Sequence, residues 1–146
     1  MKRKVLISFF VILLILALTG CGMIPPNDSI ESMAEESVYH YWRAIINRQY
    51  ELAKFYCIPD GVWDNKVDEW EEYININSEG EASLLISEPY FYKPTEVIGD
   101  TAIAYIWVFV DKITFSNSYP VYETDTFEYE VELIKQNYPP GDFMLK

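Results

Sequence analysis

The spacing of apolar positions changes twice along this chain and divides it into three parts. Val5 to Leu18 is apolar throughout except for Ser8. Between Asp28 and Ile74 apolar residues recur every three or four positions, the helical period. From Ala82 onward they alternate, the period of a strand with one face buried.

The middle part predicts three helices. The first begins at Ser29 as cap, or with Asp28-x-x-Glu31 as a capping box, and runs to about Arg48. Ile30, Met33, Ala34, Val38, Tyr41 and Ile45 share one face, and His40 falls at its edge. The second spans Tyr50 to Cys57 and is stopped by Ile58-Pro59-Asp60-Gly61. The third covers Val62 to Ile74, with Trp63, Val67, Trp70 and Ile74 inward and Asp64, Asp68, Glu69, Glu71 and Glu72 outward. Residues 75–81 are polar and predict a loop.

The last part predicts strands. Ala82–Tyr92 and Thr95–Ile98 read as one strand interrupted at Pro94, and Gly99-Asp100 suits a tight hairpin turn. Thr101–Val110 is apolar on both faces: Ala102, Ala104, Ile106, Val108 and Val110 against Thr101, Ile103, Tyr105, Trp107 and Phe109. If the small face points inward, Tyr105, Trp107 and Phe109 form an aromatic stripe outside; otherwise they line the core or a pocket. Ile113–Tyr122 is a connection or a hairpin extension. Phe127–Leu133 alternates strictly and sends Glu128, Glu130 and Glu132 to solvent. Residues 137–142 turn, and Phe143–Leu145 is a short final strand. Helices followed by antiparallel strands predict an α+β fold, with the helices on a curved, mainly antiparallel sheet. Residues 28–146 form one domain.

The N-terminal run changes the picture of location. Lys2, Arg3 and Lys4 precede fourteen residues that would make a helix of about 21 Å, short of the ~30 Å hydrocarbon core of a bilayer. This is the layout of a signal peptide, not of a membrane span. The run ends in Leu18-Thr19-Gly20-Cys21, which resembles the lipobox of bacterial lipoproteins. The resemblance implies cleavage after Gly20, a diacylglycerol on the Cys21 sulfur, and a tether over residues 21–27 stiffened by Pro25-Pro26. The expected location is the extracytoplasmic face of the cell membrane, with the membrane as partner through lipid at Cys21.

Charge then excludes other partners. Residues 21–146 keep all 23 acidic side chains and lose three of the 11 basic ones, a net charge of about −15. Nucleic acid, whose phosphates need Lys and Arg, is excluded. An acidic membrane leaflet would repel the domain. With Cys21 lipidated, Cys57 has no disulfide partner and reads as a small buried hydrophobe.

The domain also resembles the nuclear-transport-factor-2-like superfamily. Residues 41–53, Tyr-Trp-Arg-Ala-Ile-Ile-Asn-Arg-Gln-Tyr-Glu-Leu-Ala, look like that family's first two helices and the break between them. Gly99-Asp100-Thr101-Ala102 looks like one of its hairpins. Gly141-Asp142-Phe143-Met144-Leu145 resembles its last strand, with Phe143 where Trp is usual. The resemblance implies a cone-like curved sheet wrapped around a helix, often with a pocket. Such folds host many functions.

Candidate chemistry is sparse. No Ser-His-Asp, Cys-His or glycine-rich phosphate pattern occurs, so no catalytic residue and no cofactor is assigned. The carboxylates at 64, 68, 69 and 72 lack the glycine turn and spacing of a calcium loop, so no metal is assigned. Two sets of residues remain as binding candidates. Tyr105, Trp107 and Phe109 suit a protein partner, or a homodimer, through the sheet. His40, beside Tyr39, Tyr41 and Trp42, suits a pocket that binds a small ligand or works as an isomerase-like or hydrolase-like site. The expected function is a non-enzymatic interaction domain, in an envelope-associated assembly; the alternatives are the His40 pocket protein and an immunity- or exclusion-type surface lipoprotein.

Overall fold

The computed structural model describes residues 29–79, 82–116, 119–136 and 143–146. The expected signal peptide, Cys21, the expected tether and Asp28 lie outside the described residues, as does the turn expected over residues 137–142. Three helices, α1 (Ile30–Ile46), α2 (Tyr50–Phe55) and α3 (Val62–Asn77), pack against a curled antiparallel sheet, a half-barrel. The fold is α+β.

Ser29 caps α1, its Oγ accepting the Ser32 N–H at 3.2 Å. α1 stops two residues before Arg48. Arg48 itself takes φ +57°, its N–H donates to Ile45 O, and Gln49 N–H reaches back to Ala44 O at 2.8 Å. This pair of bonds is a Schellman closure, here with arginine in the left-handed region instead of glycine. α2 ends at Phe55, earlier than its pattern suggests, because the chain at Cys57 joins the sheet. Between α2 and α3, Pro59 and Asp60 (φ +58°) make the turn closed by Gly61 N–H to Ile58 O, 2.9 Å. α3 continues three residues past Ile74.

The sheet is built on one long hairpin, β4 (Thr101–Ser116) and β5 (Tyr119–Lys135), paired from end to end. The segment 113–122 is thus a hairpin extension, not a connection. Pro120 sits within β5 at no cost to this pairing. Lys135 N–H donates to Asp100 O across the hairpin, while Glu132 O faces the other way and accepts from Lys146. By alternation, odd residues of β5 bond to β4 and even residues, Pro120 among them, point their backbone groups away.

The other edge of β4 is covered by three short strands: β1 (Ser83–Ile86), β2 (Tyr90–Phe91) and β3 (Glu96–Ile98). The sequence predicts one break here, at Pro94; the structure has a second, at Pro89. Between β1 and β2 the register slips by one residue, and between β2 and β3 by two more. Such bulges bend and twist a strand, and they help curl this sheet. Gly99, at φ +63°, opens the two-residue turn into β4 as expected.

A sixth strand, β6 (Phe143–Leu145), pairs with the end of β5 and closes the domain. Leu145 N–H donates to Tyr56 O at 3.0 Å, and Ile58 N–H donates to Leu145 O at 2.8 Å. One residue therefore ties the α2–α3 connection to the sheet. The core lies between the helices and the concave sheet face: Val38, Tyr41, Trp42 and Ile45 from α1, Val67, Trp70 and Ile74 from α3, and Ile106, Val108, Leu133 and Phe143 from the sheet.

Candidate functional site

β4 settles which of its faces is inside. Ala102, Ala104, Ile106, Val108 and Val110 are buried, so Tyr105, Trp107 and Phe109 lie on the outer surface. The small residues face inward, into the same core as Tyr41 and Trp42 of α1. All three helices pack on the other face.

The stripe is half-buried, because the bulged edge folds two tyrosines onto it. Tyr92 stacks on Trp107 with ring centres 4.8 Å apart, and Tyr90 stacks on its other side at 6.1 Å. Tyr92 then crosses β4 and donates its hydroxyl to Glu128 Oε1 on β5, 2.6 Å away. Tyr105 donates to Glu96 Oε1 at 3.2 Å. Lys93 Nζ lies 4.4 Å from the Tyr105 ring centre, a cation over an aromatic face. Tyr90, Tyr92, Lys93 and Glu96 are site residues that the periodicity alone did not single out. The alternation of Tyr90 and Tyr92 was the available signal.

His40 is elsewhere. It lies on α1, on the helix side of the sheet, with its side chain 44% exposed. Its Nε2 is 3.4 Å from Glu36 Oε1, and its ring stacks on Tyr56. The depression beside it, of about 350 Å³, is lined by Glu35, Glu36, Tyr39, Arg43 and Glu88. Arg43 Nε donates to Glu88 Oε1 at 3.1 Å. The structure does not bring His40 together with Tyr105, Trp107 and Phe109.

A second concavity, of about 250 Å³, runs between α3 and the inner face of β5. Trp70, Tyr73, Phe127 and Tyr129 supply its aromatic wall, and the ion pair Lys66–Glu69 stands at its rim. Trp70 is buried, and its Nε1 has no hydrogen-bond partner among the described residues; the same holds for Trp42 Nε1 and Tyr41 Oη. Asp125, not singled out by the sequence, shares the face of Phe127 and accepts from the Tyr73 hydroxyl at 3.1 Å.

The remaining chemistry is structural. Cys57 is buried, and burial pushes its thiol up to about 12, so it carries little thiolate at neutral pH. Asp64 accepts the Asp60 N–H, Asp68 pairs with Lys54 at 2.7 Å and Glu69 with Lys66. Among the described residues no three His, Cys, Asp or Glu side chains converge as a metal ion requires. No described helix is long and apolar enough to cross a membrane.

The tyrosines give the domain an alkaline limit. Burial raises Tyr129 to about 12 and Tyr41 higher still, and the Glu128 carboxylate raises Tyr92 to about 12. Unfolded, each would titrate near its ordinary value of about 10. The folded state therefore binds these protons more tightly. That stability is fully present below pH about 10 and is lost as pH rises through about 12. Urea unfolding at stepped alkaline pH should show it, with a shallower loss in Tyr92→Phe. A pH-independent midpoint across that window would contradict the burial of these hydroxyls.

No protein-family model matches the chain, and no curated protein matches it in sequence.

Proposed function

We propose that the chain is a lipid-anchored lipoprotein of the extracytoplasmic membrane face, and that its domain is a non-enzymatic binding module. The nuclear-transport-factor-2-like reading is part of this proposal, and helices held on the concave side of a curled sheet are what it requires. One observation carries the binding role. The outer sheet face presents Tyr90, Tyr105, Trp107 and Phe109 together, with no described element packed over it. Exposed Leu85, Ile98, Phe115 and Tyr122 extend the same side along the sheet, since each stands opposite, or in register with, an outward residue of β4. An aromatic stripe of this kind, bordered here by the carboxylates of Glu128 and Glu130, suits an interaction site, in which Trp and Tyr are common anchors.

The test is Trp107→Ala in the full chain, with crosslinking in intact membranes. Crosslinked species that depend on this face should be lost, while the circular dichroism spectrum and the urea midpoint move little, because Trp107 is outside the core. If every crosslinked species persists, the face is not the binding surface. The pocket alternative moves from His40, whose depression is lined mainly by charged side chains, to the aromatic groove between α3 and β5.

A further inference from the structure

Among the described residues, the sheet has one edge that is protected and one that is open. On the β4 side, three strands cover the backbone. On the β5 side, β6 pairs only with Leu133–Lys135, and Lys146 N–H takes Glu132 O. Among the described residues, nothing pairs with the edge from Tyr122 to Glu130, nine residues or roughly 30 Å of strand. Its outward N–H and C=O groups belong to the even residues Tyr122, Thr124, Thr126, Glu128 and Glu130.

This edge has a chemical character. Glu128, Glu130 and Glu132 stand in a row on its outer side, opposite Trp107, Tyr105 and Ile103, with no cation across the strand pair. β5 as a whole carries five acidic residues and one lysine. Two copies pairing through it would set acids against acids, which disfavours a symmetric dimer. On its inner side lie Phe127 and Tyr129, the wall of the groove beneath α3.

The chain already shows how this edge is used. At its lower end, Lys146 adds alongside Glu132 with a backbone bond of 2.9 Å and a side-chain ion pair of 3.0 Å, while its neighbour Leu145 faces inward opposite Leu133. Backbone ladder, lysine on glutamate outside and apolar residue inside occur together. The unpaired stretch repeats the same pattern upward: Glu130 and Glu128 outside, Val131, Tyr129 and Phe127 inside.

We propose that β5 is a docking edge for an extended, lysine- or arginine-bearing segment of a partner protein. The segment adds antiparallel to β5 in line with β6. Its basic residues run along Glu130 and Glu128, and its alternate apolar residues cover Tyr129 and Phe127 at the mouth of the groove. Main-chain bonds supply affinity and the alternating side chains supply selectivity. This deepens the binding-module reading and rests on it.

The probe is a blocked ten-residue peptide alternating Lys and Val, added to the full chain in detergent micelles. Binding should protect the amides of Thr126, Glu128 and Glu130 from hydrogen exchange. The Glu-Val counterpart, and a Lys-Val peptide N-methylated at its lysines, should each bind about tenfold more weakly or worse. Thr126→Pro keeps every carboxylate and removes one outward N–H, at a position of the same parity as Pro120; it should weaken binding without loss of folding. The double variant Glu128→Lys, Glu130→Lys should prefer the acidic peptide. Equal binding of the N-methylated peptide, or indifference to Thr126→Pro, would reduce the effect to charge alone and overturn the proposal. So would a dimer that protects the same amides without peptide. Trp107→Ala separates the two readings. A parent chain that forms Trp107-dependent crosslinks but binds no Lys-Val peptide defeats the edge and spares the face; a chain that binds the peptide but whose crosslinks all survive Trp107→Ala defeats the face and leaves the edge.

Discussion

Trp42→Ala is expected to cost about 3–5 kcal/mol of stability, the range for truncating a fully buried large aromatic. Trp42 has no exposed surface and meets four rings, with centres 5.4 Å away at Tyr41, 6.5 Å at Trp63, 5.2 Å at Trp70 and 5.8 Å at Tyr129. These rings come from α1, α3 and β5, so the indole joins both helices to the sheet. Flat, stiff neighbours held by separate elements cannot collapse fully into the hole, which places the cost in the upper half of the range. Domains are stable by only about 5–15 kcal/mol, so this loss is a large share of the total. The urea midpoint should fall with little change of slope. Trp42→Phe should keep most of the stability, because it retains a ring and removes an indole N–H that has no partner among the described residues. Added indole should bind the Trp42→Ala hole and raise its midpoint. If the alanine variant does not fold at all, recovery by indole and the behaviour of Trp42→Phe still decide the matter. An alanine variant with the parent's midpoint would show that the four rings do not form one core.

Cys21→Ala is expected to have the largest effect on location. Under the lipoprotein reading, two acyl chains on the Cys21 sulfur hold the protein, each buried CH₂ contributing roughly 0.8 kcal/mol. The acidic domain is repelled from an anionic leaflet, and no described helix could span the bilayer. The variant should leave the membrane fraction, or stay unprocessed with its apolar N-terminal run attached. Fractionation and metabolic labelling with a fatty acid distinguish the two. Fatty-acid label persisting on the alanine variant would end the reading.

Much of the architecture was legible from periodicity. The face of α1 that carries Val38, Tyr41 and Ile45 is buried as the spacing predicts, and Phe127–Leu133 alternates between burial and exposure as its pattern predicts. The inner face of β4 was not legible, because both of its faces are apolar. The choice is made by what the helices bring to the core, which the alternation of β4 does not carry. The length of the hairpin was obscured by Pro120, which reads as a breaker until its parity in β5 is known. The bulges at Pro89 and Pro94 are set by pairing with β4. For that reason the alternation of Tyr90 and Tyr92 hinted at a shared face, but not that the bulges lay them across Trp107. The open edge of β5 depends on strand order, which no local pattern encodes.

The clasp at Leu145 has a consequence for how the domain comes into being. A ribosome delivers the helices and the long hairpin before it delivers residues 143–146. The hairpin's contacts are local and can form early, whereas the joint between Tyr56, Ile58 and Leu145 closes a loop of nearly ninety residues. Until that joint forms, the partners of Phe143 and Leu145 in the core remain uncovered. The last strand therefore acts as a latch: trimming residues 143–146 would free Ile58 N–H, Tyr56 O and the end of β5 together.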